Sequence, residues 1–253
     1  MDFDISRQLE QWDYQPGKIA VRKFTGNDGV EKIQLRVDLG LLQMNAAGRP
    51  DGKRPYGHPS LLEYFQAKLG KHAAANAGSE AGFQLTPEDC SRLQMESLQY
   101  NHRYICLLEL ADFAGVTRDA ERNLAVFEFV TQHTNSEELA WSLLQFQPQL
   151  LLILTRARAL AVLTDQDHTE AVACIEQGIE ALQTFFNKHS RQDLIPLSGE
   201  VQALETWLSE ITASRPLSPR EQLEQALSEA VQEEDYEKAA HMRDALRNLK
   251  TEN

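Results

Sequence analysis

The sequence has few cysteines and no long apolar run, and each shortage excludes a class of protein. Its 253 residues include only three cysteines, Cys90, Cys106 and Cys174, which lie far apart. Three widely spaced thiols provide neither a disulfide framework nor a zinc site. No apolar segment approaches the roughly 18 residues of a membrane span, and the N-terminal residues are too polar for a signal peptide. We therefore expect a cytoplasmic protein that does not associate with membranes.

Basic residues are also scarce relative to acidic ones. The chain has 25 Lys and Arg against 38 Asp and Glu, a net charge of −13. A general nucleic-acid-binding protein presents a basic surface, so this balance argues against that class. The hydrophobic fraction of 42% is sufficient for one sizeable core with one or two small additional modules.

Motifs that would indicate catalysis are absent from the sequence. There is no H-E-x-x-H, C-x-x-C, G-x-S-x-G or G-x-G-x-x-G. Glu96, His102 and Glu109 fall on one predicted helix, but without the Glu-x-x-His spacing of carboxylate-bridged metal sites. We therefore expect a protein that is not an enzyme and that carries no cofactor and no metal.

The N-terminal region contains the clearest strand pattern. Ile33, Leu35, Val37 and Leu39 alternate with polar residues, which predicts a strand with one apolar face. Residues 18–24 provide a partner strand, and the glycine-rich segment 25–29 provides the turn of a β-hairpin. Residues 41–44 are a candidate extension of the sheet.

From Thr86 onward the periodicity is helical, and Thr86 followed by Pro87, Glu88 and Asp89 predicts an N-cap at the first helix. The pattern predicts helices over 86–110, 116–131, 137–163 with an interruption at Pro148, 168–187 and 200–213. Within the second of these, Arg118, Asp119, Glu121 and Arg122 are expected to form a solvated face. The helix from His168 resembles the second helix of a tetratricopeptide-like pair.

The predicted fold is therefore mainly α, a helical bundle or tetratricopeptide-like array with a small N-terminal β-hairpin and a C-terminal αα-hairpin. We expect a small α+β module over residues 1–70, a mobile linker over 71–85, an α-helical body over 86–214 and the αα-hairpin over 218–250.

A basic, turn-rich segment stands out in this acidic chain. Residues 18–54 contain eight Lys or Arg and four acids, so their net charge is 8 − 4, or +4. The Pro- and Gly-rich run 48–59, called the basic loop below, overlaps the end of this segment and contributes a candidate anion-binding set, Arg49, Lys53, Arg54 and His58. The other interpretation is a rigid connector whose charges are merely solvated. The glycine spacing does not fit a P-loop.

The C-terminal residues predict two consecutive amphipathic helices. Ser218 is a candidate N-cap, and Leu223, Leu227 and Val231 follow at helical spacing. The polar break at 233–235 offers Asp235 as a second N-cap, and Tyr236 then begins a second apolar stripe. Because the break is short, the two helices must form an αα-hairpin.

This hairpin resembles a known family. Leu223 and Leu227, the turn Glu234-Asp235-Tyr236-Glu237, the Ala239-Ala240 pair, Arg243-Asp244, Leu246 and Leu249 are similar to the UVR motif, the helical hairpin of the excision-repair proteins UvrB and UvrC. The resemblance implies a module that docks on a similar hairpin in a partner. The implied partner-binding residues are Leu223, Leu227, Val231, Tyr236, Ala239, Ala240, Arg243, Asp244, Leu246 and Leu249. The alternative is an ordinary terminal hairpin folded onto the core.

Three functions follow from these patterns. The first is a non-catalytic adaptor that docks a protein partner through the hairpin, the partner being UvrB/UvrC-like, a similar hairpin or a second copy, in the setting of nucleotide excision repair. The second is a weakly DNA-associated repair accessory protein that uses the basic N-terminal segment. The third is a small-ligand protein or enzyme with the Pro/Gly-rich loop as a lid.

Overall fold

The computed structural model describes residues 4–214 and 219–249, which contain ten α-helices and one three-stranded sheet. The chain divides into two compact units, Met1–Leu208 and Ser209–Asn253. The strands are β1 Ala20–Thr25, β2 Glu31–Val37 and β3 Gly40–Asn45. The helices are α1 Ser6–Glu10, α2 Leu61–Ala75, α3 Pro87–Glu109, α4 Phe113–His133, α5 Glu137–Leu144, α6 Gln147–Thr164, α7 His168–Lys188, α8 Gly199–Ser214, α9 Pro219–Gln232 and α10 Tyr236–Leu249. The mainly α fold with a terminal helix pair is confirmed.

The predicted β-hairpin is present and gains a third strand. β2 lies in the centre and pairs antiparallel with β1 and β3, with Ile33 opposite both Lys23 and Met44. Ile33 and Met44 are buried in the core, as the alternating pattern predicts for Ile33. Leu39 is instead 88% exposed, because it lies in the tight turn between β2 and β3 and does not continue the strand.

The helix content differs from the prediction in the linker and in the segment 137–163. Helix α2 extends to Ala75, so residues 71–75 of the predicted linker are helical. The predicted helix 137–163 is two helices, α5 and α6, separated at Gln145 and Phe146. Pro148 lies in the first turn of α6, where backbone N–H groups have no acceptor within the helix, so its lack of an N–H costs no hydrogen bond.

Side-chain caps mark the starts of the main helices. Thr86 and Asp89 form a capping box at α3, with both hydrogen bonds at 3.2 Å. Asp112 caps α4 by accepting a hydrogen bond from the Gly115 N–H, and Asp167 caps α7 in the same way. These caps satisfy backbone donors that a helix cannot satisfy internally.

One core joins the sheet to helices α2 to α6. Phe65, Leu93, Leu107 and Val130 are among its fully buried members. Helices α6 and α7 approach closely at Gly178, where an added Cβ atom would lie only 2.2 Å from the Thr155 Oγ1. Among the described residues, no helix combines the length and the apolar composition that crossing a membrane requires.

The finer division of Met1–Leu208 into a sheet module, a linker and a helical body stays a prediction, as does the tetratricopeptide-like character of α7.

Candidate functional site

The C-terminal hairpin is joined by a three-residue turn with a defined hydrogen-bond pattern. Glu234 adopts a left-handed conformation with φ of 58°, and the Asp235 N–H donates to the Ala230 carbonyl at 2.8 Å. The donor of this hydrogen bond lies five residues after its acceptor, which is characteristic of a Schellman motif at the C-terminus of α9. The Asp235 carboxylate then accepts from the Lys238 N–H at 3.0 Å and caps α10. The predicted second N-cap is therefore in place, whereas the Ser218 cap lies outside the described residues.

Small side chains bring α9 and α10 together. Ala230 is fully buried and Ala239 is 8% exposed, whereas all other described side chains of the two helices are half-buried or exposed. Because alanine projects only a methyl group, the two helix backbones can approach closely along this line. The Ala239 position predicted from the sequence therefore forms part of the internal packing of the hairpin.

Bulky apolar groups remain exposed beside this line. Tyr236 is 70% exposed and Val231 is 52% exposed, on either side of the turn. Four more residues of the predicted partner-binding set are half-buried, namely Leu223, Leu227, Ala240 and Leu246. The side chain of Leu249 lies outside the described residues. The hairpin thus leaves an apolar tyrosine ring and an isopropyl group in contact with solvent.

The charged members of the predicted set are paired with each other. Arg243 donates from Nη2 and Nε to the Asp244 Oδ1, at 2.9 and 3.1 Å, and both side chains are more than 60% exposed. An ion pair this exposed contributes little to folding stability. Both groups are therefore accessible to a partner.

The comparison with known protein families decides the identity of this segment. Residues 219–252 match the family model described as the UvrB/uvrC motif. We call α9 and α10 the UVR hairpin from here on. No curated protein and no solved structure matches the chain.

The basic loop lies apart in sequence from the UVR hairpin, and much of its charge is used within the chain. Arg49 donates from Nε to Glu96 Oε1 at 2.8 Å and also pairs with Asp51. Lys53 and Arg54 are exposed, and Arg54 makes a long hydrogen bond of 3.4 Å to the Gly57 carbonyl. Among the candidate anion-binding residues, Arg49 is thus already paired with two carboxylates, whereas Lys53 and Arg54 face solvent.

An aromatic stack holds the second half of this loop. The Tyr56 ring stacks on the Tyr64 ring of α2 with centroids 4.2 Å apart. His58 packs edge-on against the Tyr64 ring, with centroids 5.6 Å apart. The Tyr56 hydroxyl accepts a hydrogen bond from Arg92 Nη2 at 2.7 Å. His58 is therefore positioned by packing against Tyr64. Among the described residues, no contact joins it to the exposed side chains of Lys53 and Arg54.

Two of the remaining cations of segment 18–54 are paired with acids, and a third is held by backbone carbonyls. Lys23 pairs with Glu31 at 2.9 Å, and Lys32 pairs with Asp28 at 2.7 Å. Arg36, 8% exposed, donates to the Trp12 carbonyl at 2.9 Å. Lys23 and Lys32 are therefore held by acids of the same segment, and Arg36 is held by a backbone carbonyl.

A buried ionic cluster lies beneath the loop, and the sequence interpretation missed it. Glu96 of α3 is 1% exposed and binds both Arg49 and Arg122. Its carboxylate also accepts from the Leu61 N–H, at 2.9 and 3.0 Å, so a negative charge lies at the N-terminus of α2. That position is electrostatically favourable for a carboxylate.

A second buried pair lies next to the first. Asp119 of α4 is 1% exposed and accepts a bidentate hydrogen bond from Arg103, at 2.6 and 2.8 Å. Arg103 also donates to the carbonyls of Asn45 and Gly48, which fixes the start of the loop. The Tyr100 ring lies under the guanidinium groups of Arg103 and Arg122, at 4.9 and 4.1 Å.

The predicted solvated face of α4 is therefore wrong for Asp119, which is buried, and for Arg122, whose side chain is only 13% exposed. No local sequence pattern separates these two residues from the solvated ones beside them on α4. Glu96 is enclosed by arginines, and among the described residues no group of His, Cys, Asp and Glu could hold a metal ion.

Proposed function

We propose that this protein is a non-catalytic adaptor that recruits a protein partner by pairing its UVR hairpin with a similar helical hairpin. The observation that carries the proposal is the family match over residues 219–252 together with the exposed Tyr236 and Val231 beside the closely packed Ala230 and Ala239. Exposed aromatic and branched side chains next to a narrow helix pair are the anchors that helix-in-groove recognition uses.

The partner class follows from the same family. Proteins of the UvrB and UvrC type carry the motif, so the proposed setting is nucleotide excision repair. The alternative donor of the second hairpin is another copy of this chain. In such a pair, Tyr236, Ala240 and Leu246 would lie at the interface, and Arg243 and Asp244 would set the register through their exposed charges.

The test is direct binding of the purified full-length chain to purified UvrB and UvrC by surface plasmon resonance, with self-association measured by sedimentation. We expect binding to at least one hairpin donor. Tyr236→Glu should weaken it at least tenfold, because a carboxylate would be desolvated in an apolar interface. Leu197→Glu is the matched control, since Leu197 is 74% exposed and lies outside the hairpin.

The control should bind like the native chain, and circular dichroism should confirm that both variants fold. Absence of both hetero-association and self-association would contradict the proposal. So would a Tyr236→Glu variant that binds as tightly as the native chain.

A further inference from the structure

A cavity of about 320 Å³ lies between α3, α4, α5 and the start of α6, in the unit formed by Met1–Leu208. Its walls include the buried side chains of Phe127, Leu143 and Leu150. Met95 and Phe146 also line it, and they are 60% and 49% exposed. The cavity therefore combines a buried apolar interior with large apolar groups that solvent can reach.

The volume indicates the size of molecule that would fit. Small-molecule sites in proteins begin at about 300 Å³. A dry cavity of about 150 Å³ lined by similar side chains is enough to bind benzene. The cavity of about 320 Å³ is therefore matched to a molecule of about two rings.

The cavity also has an unused polar group. Ser97 lines it and is 6% exposed, and its Oγ makes no hydrogen bond to any described part of the chain. The neighbouring Asn123 is held in place, because its Nδ2 donates to the Ser97 carbonyl at 2.9 Å and its Oδ1 accepts from Arg122. The Ser97 Oγ is itself buried from solvent, so a rotation of the side chain about χ1 is what would allow the hydroxyl to donate to a molecule in the cavity.

The lining carries no charge. All of the described residues around the cavity are apolar or uncharged polar ones, including Asn101 and Gln149. Tyr104 is neutral as well, since burial raises the pKa of its phenol to about 12. A carboxylate, phosphate or ammonium group would lose its hydration here without gaining an opposite charge, so ionic ligands are disfavoured.

We propose that this cavity binds a neutral, mostly apolar molecule of about two rings, with one polar atom that accepts a hydrogen bond from the Ser97 hydroxyl. This site is independent of the UVR hairpin, so the binding test of the hairpin neither supports nor weakens it.

The first experiment uses N-phenyl-1-naphthylamine, a neutral fluorophore with two ring systems, a naphthalene and a phenyl group, that brightens in apolar surroundings. The full-length chain should bind it at one saturable site, at least tenfold more tightly than the anionic 8-anilinonaphthalene-1-sulfonate. Phe146→Arg should weaken binding at least tenfold, and Met95→Arg provides a second variant at an exposed position. Leu197→Arg, an equally polar change away from the cavity, should leave binding unchanged.

The second experiment tests the role of Ser97. 2-Acetylnaphthalene and 2-isopropylnaphthalene are similar in size, but only the first has a carbonyl that can accept a hydrogen bond. Displacement of the fluorophore should show that Ser97→Ala weakens binding of 2-acetylnaphthalene about fivefold to tenfold and leaves 2-isopropylnaphthalene unaffected. An equal effect on both compounds would overturn the assigned hydrogen bond.

The proposal as a whole is overturned if the folded native chain does not bind the neutral fluorophore, or binds the anionic one as well. It is also overturned if both arginine variants, folded by circular dichroism, bind like the native chain. Loss of fluorophore binding as the protein concentration rises, with dimers in sedimentation, would show that a second copy covers the cavity instead.

Discussion

At the scale of single residues, the Glu96 side chain of α3 contacts three other segments of the chain. Its buried carboxylate neutralises Arg49 from the loop and Arg122 from α4, and accepts the first N–H of α2. A buried ion pair is weak evidence for net stability, because burying charges is itself costly. Removal of one partner is different, since it leaves the other charge buried without compensation.

Glu96→Gln should therefore destabilise the fold by about 3 kcal/mol, because Arg122 would lose its carboxylate and Arg49 would keep only Asp51. Urea unfolding followed by circular dichroism measures the change. Glu121→Gln is the matched control, since Glu121 of α4 also pairs with an arginine, Arg158 of α6, but both side chains are about half exposed. It should change stability by less than about 1 kcal/mol. Equal losses in the two variants would contradict the importance assigned to burial.

The sequence predicted the features that depend on residues close to one another in the chain. The Thr86 cap, the Asp235 cap and the burial of Ile33 each follow from a short pattern, and all three are present. The buried ionic cluster instead joins residues that are far apart in the sequence, since Arg49 and Glu96 differ by 47 positions. No local pattern distinguishes such a buried arginine from a solvated one, so the cluster and the buried Asp119 became visible only in the fold.

At the scale of elements, the contact between α6 and α7 is set by the absence of a side chain at Gly178. Glycine is a poor helix former, and it is retained here where another helix leaves no space. A methyl group added at this position would have as its nearest neighbours three atoms of the buried Thr155, at 2.2 to 2.8 Å. A β-branched side chain in a helix has few alternative rotamers with which to make room.

Gly178→Ala should therefore destabilise the protein by about 1–3 kcal/mol through overpacking. The same substitution at Gly70 should have the opposite sign. Gly70 is an exposed position in helix α2, and a Cβ atom there meets nothing within 4 Å. Gly70→Ala should therefore stabilise the protein by about 0.5–1 kcal/mol through helix propensity. Thermal unfolding of the two variants checks both signs, and destabilisation of equal size at both sites would contradict the steric explanation.

At the scale of the whole molecule, the two compact units differ in how much surface they bury. Helix α3 alone has nine buried residues, including charged ones held by partners from three other segments. The UVR hairpin has two buried side chains among those described, Ala230 and Ala239, and both are small. Stability within a protein follows the buried contacts that must be broken for local opening.

Backbone amides in the UVR hairpin should therefore exchange with deuterium much faster than those of α3. Isolated helices of about 14 residues are marginal in water, and two alanine contacts add little to hold them. Hydrogen exchange followed by mass spectrometry measures both regions in one sample of the full chain. Addition of a hairpin-bearing partner should slow exchange in α9 and α10 while leaving α3 unchanged, because binding removes only the openings of the docked segment. If the free hairpin is protected as strongly as α3, its apolar side chains already have their full complement of contacts, and the case for an incoming partner helix loses its physical basis.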